Sequence, residues 1–450
     1  MGGATAPLTG LPHTNPTKSY WQRNPHRIAD LRSTASLPTY SKYIIIGSGI
    51  TGASIAYKLL GQEPAASIVL LEARQAASGA TGRNGGHCRP GDYREFSAHV
   101  ERFGLEDALR MEKLEADNIK LLTNFIREHG IECDLNEVES VEMFTDEKPF
   151  KYVLGVLEAR KKVAEMRKEA PVLREYRIWS AEETEKELLT PNGVGAVSLV
   201  GGYQLQPYLV ACGILELAIE KGLNLQTNTP VTKISKLSDD NESNGWKVHT
   251  DRGDVIADKV ILATNAYSGA LYPDLAEFIQ PTKRQMCVVR PGSKIIDTGA
   301  LPRTGVWETS DSSDYYQQRY KGSLGEGDLV LGGSLRASSI DDSSILPEIT
   351  EYFAHRLPVR FYGRENWGED GEIIQEWSGI MGYTSDRRPI IGEAPGQNGL
   401  WVCVGFNGHG MALTFQSAEA LVKILDGEEK EVDKWLPSCY KIQRLLKSGL

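Results

Sequence analysis

Residues 42–72 of this 450-residue chain constrain its fold more than any other stretch. An apolar, β-branched run, Tyr43-Ile44-Ile45-Ile46, leads directly into Gly47-Ser48-Gly49-Ile50-Thr51-Gly52. Helical spacing follows over 53–60, and a second apolar run, Ile68-Val69-Leu70-Leu71, ends at Glu72. Strand, glycine turn, helix and strand in this order predict two parallel strands joined by a crossover, and hence an α/β fold. Each glycine has its own task. Gly47 permits the tight turn, Gly49 lets backbone approach a pyrophosphate, and Gly52 lets the helix pack closely on the strand. Phosphates then sit at the helix N-terminus beside Ile50 and Thr51, where free N–H groups and the positive dipole end favour an anion. Glu72, twenty positions past Gly52, accepts hydrogen bonds from ribose hydroxyls and repels a 2′-phosphate, which disfavours NADP.

The remaining bulk features narrow the class. A chain of this length exceeds one simple core, so two domains or an interleaved pair are expected. Net charge is −10, which argues against a nucleic-acid or anionic-membrane surface. Cys88, Cys133, Cys212, Cys287, Cys403 and Cys439 are too scattered for a CxxC metal or redox pair, so no metal is expected and the thiols read as those of a reducing compartment. No apolar run reaches spanning length. The first forty residues hold Pro7, Pro12, Pro16, Pro25 and Pro38 and no apolar signal core, and the chain ends Lys447-Ser448-Gly449-Leu450 rather than Ser-Lys-Leu. A cytoplasmic protein is the expectation.

Along the chain, residues 1–40 form a Pro-rich arm, with Tyr20 and Trp21 expected to pack on the surface. Helices are expected over 105–129 (closed by Gly130), 152–168, 181–188, 206–221 (capped by Gly222), from 349, and over 409–425. Strands are expected at 223–226, 231–234, 246–250, 259–263, 282–290, 314–319, 328–333 and 372–377, with a hairpin turn at Asp251-Arg252-Gly253-Asp254. The patch 338–344 reads as a polar loop. The predicted organisation is a Rossmann-like dinucleotide domain (41–95, 200–277 and 380–450) interleaved with an α+β substrate domain (96–199 and 278–379) on a mostly antiparallel sheet.

Three downstream features favour FAD over NAD. Residues 73–86, Ala-Arg-Gln-Ala-Ala-Ser-Gly-Ala-Thr-Gly-Arg-Asn-Gly-Gly, are small enough to thread beneath an isoalloxazine ring. Residues 260–266 form an apolar strand ending in Ala263 and Thr264. Residues 399–413 read strand, glycine turn, helix, placing a helix N-terminus where it stabilises negative charge on a reduced ring. The expected cofactor set therefore adds Ala73, Arg74, Thr81, Arg83, Asn84, Gly85, Gly86, His87, Val231, Ala263, Thr264, Gly382, Gly408, His409, Gly410 and Met411 to the first βαβ unit.

These motifs resemble the FAD-dependent oxidoreductases of the D-amino-acid oxidase and sarcosine oxidase superfamily over about residues 41–425. Thr81-Gly82-Arg83-Asn84-Gly85-Gly86 is similar to the γ-glutamylputrescine oxidase branch, and Gly405-Phe406-Asn407-Gly408-His409-Gly410-Met411 to the closing motif of sarcosine oxidases. The arm, from Ser19-Tyr20-Trp21 to Arg32-Ser33-Thr34, is similar to that of fungal members. The resemblance implies hydride removal from a carbon bearing an amine to flavin N5. The imine then hydrolyses, and oxygen reoxidises the flavin to give hydrogen peroxide. The substrate is a small amine or amino acid, and no strong base is required. Two alternatives stand: a dehydrogenase serving another acceptor, and a non-catalytic flavin-binding protein.

The resemblance also suggests catalytic groups. Arg319, closing Asp314-Tyr315-Tyr316-Gln317-Gln318, is either a clamp on the substrate carboxylate or a strand-end arginine. Tyr315 and Tyr316 point to opposite faces, one towards the flavin; Tyr316 is carried as the candidate. His409 lies beside the flavin or bonds backbone at the helix entry. Trp307, Trp377, Tyr383 and Phe406 either wall the site or belong to the core. The family's flavin-linking histidine aligns with Arg83 and its linking cysteine with Met381, so FAD is expected to be noncovalent, with His87 the alternative attachment point. The oxygen-activating lysine of sarcosine oxidases is missing from 328–333. Lys283 is the first substitute for it, with Arg284, His87 and His409 behind.

Overall fold

The computed structural model describes residues 8–167, 175–237, 245–298, 304–368 and 370–448. Pro7, residue 168 of the helix expected over 152–168, and Gly449-Leu450 lie outside them. Two sheets carry the fold. The first holds β1 (Tyr40–Ile46), β2 (Ile68–Leu71), β7 (Asn224–Gln226), β8 (Val231–Lys236), β9 (Trp246–Thr250), β10 (Gly253–Leu262), β16 (Ile390–Glu393) and β17 (Leu400–Val404). Its order is β16-β17-β10-β1-β2-β7. Strands β17, β10, β1, β2 and β7 run parallel, β16 is antiparallel, and β8–β9 fold back on β10 through the expected hairpin. The isoleucines of β1 and all four residues of β2 are buried, as strands covered on both faces require. Helix α1 (Ile50–Gln62) starts at the end of β1, with Gly49 as its N-cap.

The second sheet holds β3 (His87–Cys88), β4 (Asn136–Phe144), β5 (Tyr176–Trp179), β6 (Gly195–Gln204), β11 (Ile279–Arg290), β12 (Thr304–Glu308), β13 (Ser313–Gln318), β14 (Leu329–Ser338) and β15 (Glu372–Thr384). Its order is β15-β11-β14-β13-β12-β4-β6-β3, with β5 on β6, and among the described residues only β12–β4 is parallel. One rung runs Met286, Gly332, Tyr315, Val306, Glu142 across five strands. Side chains of one rung share a face, so the polarity of a whole surface is set here.

Three strands cross the expected boundaries. β3 lies in the second sheet although residues 41–95 are expected in the dinucleotide domain, and β6 and β15 run past residues 199 and 379. Strands β3, β4, β5, β6, β12 and β16 have no counterpart in the expected elements. The loop over 338–344 is not wholly solvated: Asp342 is fully buried against Arg74, at 2.9 Å.

Candidate active site

The C-terminal ends of β1, β2, β10 and β17 converge on one cavity of about 410 Å³, the usual binding crevice of an open parallel sheet. Ile46 and Gly47, Leu71 and Glu72, Ala263 and Thr264, and Phe406 line it in turn. The glycine turn is built as its residues demand. Gly47 has φ +103° and a Cβ there would lie 2.7 Å from the Ala263 carbonyl oxygen. A Cβ on Gly52 would fall 1.8 Å from the Gly47 carbonyl oxygen, so α1 sits directly on the turn. Gly49 faces Thr81, whose Oγ1 accepts from Ile50 N at 3.0 Å. Glu72 accepts from Ser48 N (3.0 Å), Ser48 Oγ (2.6 Å) and Arg74 N (2.9 Å). A carboxylate has about four acceptor positions, so Glu72 is held in place with capacity left for a ribose hydroxyl.

Of the expected cofactor residues, Gly47, Gly49, Ile50, Thr51, Glu72, Ala73, Arg74, Thr81, Arg83, Asn84, Gly85, His87, Val231, Ala263, Thr264, Gly408, His409, Gly410 and Met411 are brought together on this cavity. Gly52, Gly86 and Gly382 are not. They pack just behind it, where a Cβ would meet the Gly47 carbonyl, the Gln317 side chain and the Ala266 backbone respectively. A glycine cradle at a helix N-terminus, a buried carboxylate at the end of the next strand and one long cavity joining both sheets fit FAD.

Residues 42–424 match the family described as FAD dependent oxidoreductase. The chain belongs to this family. Gamma-glutamylputrescine oxidoreductase of Escherichia coli (strain K12) is 22% identical over 422 residues, 93% of this chain and 91% of that protein. Glycine oxidase of Geobacillus kaustophilus (strain HTA426) is 23% identical, over 86% of this chain and 94% of that one. The crystal structure of glycine oxidase from Geobacillus kaustophilus shares the fold with TM-score 0.71 and 19% identity, covering 90% of this chain and 99% of that one. Among the described residues of this oxidoreductase no helix is long and apolar enough to cross a membrane.

The catalytic candidates fare less well. Arg319 does not reach the FAD cavity. It shares the face of Tyr315 but lies four residues on, about 14 Å along the strand. There the arm's Trp21 sits 5.4 Å from its guanidinium, and Asp134 pairs with it. Tyr316 points away from the cavity and packs on Trp307, with ring centroids 4.6 Å apart; Tyr315 is the tyrosine that lines the site. Lys283 also faces away, donating to Ser344 Oγ at 2.8 Å, whereas its neighbour Arg284 lines the cavity. Trp377 is buried behind the threading segment, donating to the Arg83 carbonyl at 2.8 Å, while Tyr383 and Phe406 are cavity residues. His409 is the N-cap of the long C-terminal helix Gly410–Leu425, and packs so tightly on Gly91 that a Cβ there would lie 2.5 Å from its Nε2.

Two groups of charge line the wall besides Arg284. Arg74 and Arg83 share Asp342 (2.9 and 3.7 Å), and burial, helped by Arg74, pulls Arg83 down to about 10. Arg89 and Arg94 share the fully buried Glu142 (3.0 and 3.7 Å), and Arg94 also meets Glu308. Burial opposes charge on Glu142, but the two guanidinium groups outweigh it and hold its carboxyl below the usual range. These pairs were missed in the sequence because their members lie far apart along it.

His87 donates from Nε2 to the Tyr316 carbonyl at 3.1 Å. Burial, and then the Arg89 charge, depress its pKa from 6.5 to about 3. The folded state therefore binds fewer protons than the unfolded state between these values. Stability is expected to rise with pH from about 3 to 6.5 and then level off. His87→Gln should flatten that limb in urea-unfolding measurements; an unchanged pH slope would show that His87 is protonated in the fold.

Proposed function

We propose that the enzyme oxidises the C–N bond of an amino acid or N-substituted amino acid, holding the substrate carboxylate on Arg284. The supporting observation is one of charge balance. Arg74, Arg83, Arg89 and Arg94 line the cavity and each lies within 4.0 Å of a carboxylate. Arg284 lines it with only neutral acceptors among the described residues, the Gly333 carbonyl and Tyr383 Oη (3.2 Å), and its buried Nε has no partner. A half-buried cation without an anion is costly, and a planar guanidinium suits a carboxylate. The relatives named for γ-glutamylputrescine and glycine point to the same chemical class.

FAD, when bound, supplies the hydride acceptor. The chain supplies position and environment. Arg284 fixes one end of the substrate. Tyr315, Met286 and Met381 form the wall beside it, with Tyr315 Oη donating to Met286 Sδ and Tyr383 Oη to Met381 Sδ at 3.3 and 3.4 Å. This weakly polar surface excludes water and favours the neutral amine over the ammonium, which prepares the carbon for hydride loss. His87, its pKa pulled down by burial, adds no competing charge at neutral pH. The amine proton leaves with the imine nitrogen's deprotonation to water, and the imine adds water to give a carbonyl product and a free amine. With oxygen as acceptor, the hydride removed from carbon and the proton lost from nitrogen together account for the hydrogen peroxide formed. FAD is held without a covalent link, since Met381 stands where the family's linking cysteine would be.

A second reading, a dehydrogenase with another acceptor, draws support from the same wall. No lysine among the described residues lines the cavity, and Val330 of β14 is buried in apolar core. An anaerobic screen of amino acids and simple amines for bleaching of the flavin tests the first reading. Reoxidation in air-saturated buffer separates the two. A flavin that no substrate bleaches refutes both.

A further inference from the structure

We infer that the N-terminal arm is a third wall of the FAD site, a strap that holds the cofactor in. The arm precedes residue 42, where the family match begins. Leu11 and Pro12 line the same cavity as the glycine cradle. The next residue, His13, accepts at its carbonyl from Arg74 Nη1 (3.3 Å), at the end of the βαβ unit. On the other side Gly10 abuts the loop after β14, where a Cβ would lie 2.2 Å from Ile340 Cδ1. The strap therefore touches the first sheet at Arg74 and a loop of the second sheet at Ile340.

Its far end is stitched down. Thr17 N and Oγ1 donate to the Asp342 carbonyl (2.7 and 3.0 Å), and Thr17 Oγ1 accepts from Arg83 Nη1 (3.2 Å) and Ser378 N (2.9 Å). Beyond it, Tyr20 and Trp21 are buried, and Trp21 Nε1 donates to the Asn84 carbonyl at 2.6 Å. Residues from 17 onwards thus anchor the arm, whereas Leu11 remains about one-third exposed (36%) with its inner side on the cavity. A segment fixed at one end, bridging two walls and half in solvent is built to lift for loading and to slow release. The role of Lys283 follows. Its bond to Ser344 steadies the loop that carries Ile340 and Asp342.

The test uses the holoprotein in two forms: a chain lacking residues 2–16, which keeps the Thr17 anchor, and full-length Leu11→Gly/Pro12→Gly. FAD release after dilution is followed by the return of free-flavin fluorescence. Both forms should release FAD at least about tenfold faster, since loss of a covering contact acts mainly on the off-rate. The gap between apo and holo melting temperatures should narrow as well. An arm that only stabilises the fold would lower both melting temperatures together and leave release unchanged. Release at the parent rate in Leu11→Gly/Pro12→Gly overturns the strap, whether or not the shortened chain folds.

Discussion

Gly52→Ala is expected to purify without FAD, its affinity for the cofactor weakened about a hundredfold or more. The added methyl would sit 1.8 Å from the Gly47 carbonyl oxygen and 3.0 Å from the carbon behind it. Both are backbone of the phosphate turn, so relief comes only from moving α1 off the turn, and its N-terminal amides move with it. Gly49→Ala should be milder at first contact, because the atom met is the Thr81 hydroxyl at 2.9 Å, which rotates away. That rotation surrenders the bond to Ile50 N, so some affinity is still lost. Gly61→Ala supplies the control within the same helix. Nothing lies within 4 Å of a Cβ there, so it should bind FAD normally and gain up to about 1 kcal/mol of stability. Absorbance near 450 nm per mole of protein, the usual flavin band, with circular dichroism for the fold, distinguishes the three. A yellow, fully loaded Gly52→Ala protein would mean that the turn is not the phosphate cradle.

Arg284→Leu should cost carboxylate-bearing substrates on the order of 3 kcal/mol, about a hundredfold in kcat/KM, as loss of one partner from a buried charge pair does. Amines without a carboxylate should be turned over as before, or bound slightly better for want of a repelling cation. Arg319→Leu should behave differently. It leaves Asp134 with the neutral donor Gln206 but no cation, and strips the cation from the Trp21 ring, so it should lower the melting temperature and leave KM alone. Equal losses on both substrate classes in Arg284→Leu would make Arg284 a structural residue and remove the basis for an amino-acid substrate.

The βαβ unit was legible because three constraints coincide within about thirty residues: apolar period, glycine placement and a terminal carboxylate. The catalytic wall was not, and the misses share a cause. Tyr316 is the expected tyrosine where Tyr315 lines the cavity, and Lys283 is set ahead of Arg284, its cavity-lining neighbour, as the cation that serves oxygen. Alternation tells that neighbours face opposite ways, but the side that meets the cofactor is decided by the other sheet. Arg319 had the right face and the wrong distance, because the arm fills the space beyond Tyr315. Strands β4 and β6 escaped notice since Glu137, Glu139 and Glu142 break the apolar pattern of one and three glycines thin out the other. Asp342 looked like one more polar loop residue, and its burial depends on Arg74, 268 positions away.

The register of β1 has a consequence for how the enzyme is made. Tyr43 pairs on one side with Ile68, available almost as soon as it is synthesised, and on the other with Lys259. β10 in turn pairs with β17, through Val260 and Leu400. During synthesis the first strand must therefore wait with one edge open until most of the chain has emerged, an order that slows folding and exposes an aggregation-prone edge. The crevice for FAD is complete only when the last parallel strand docks. Cofactor supply should then decide yield as much as affinity does: cells short of flavin should accumulate insoluble chain rather than soluble apoprotein.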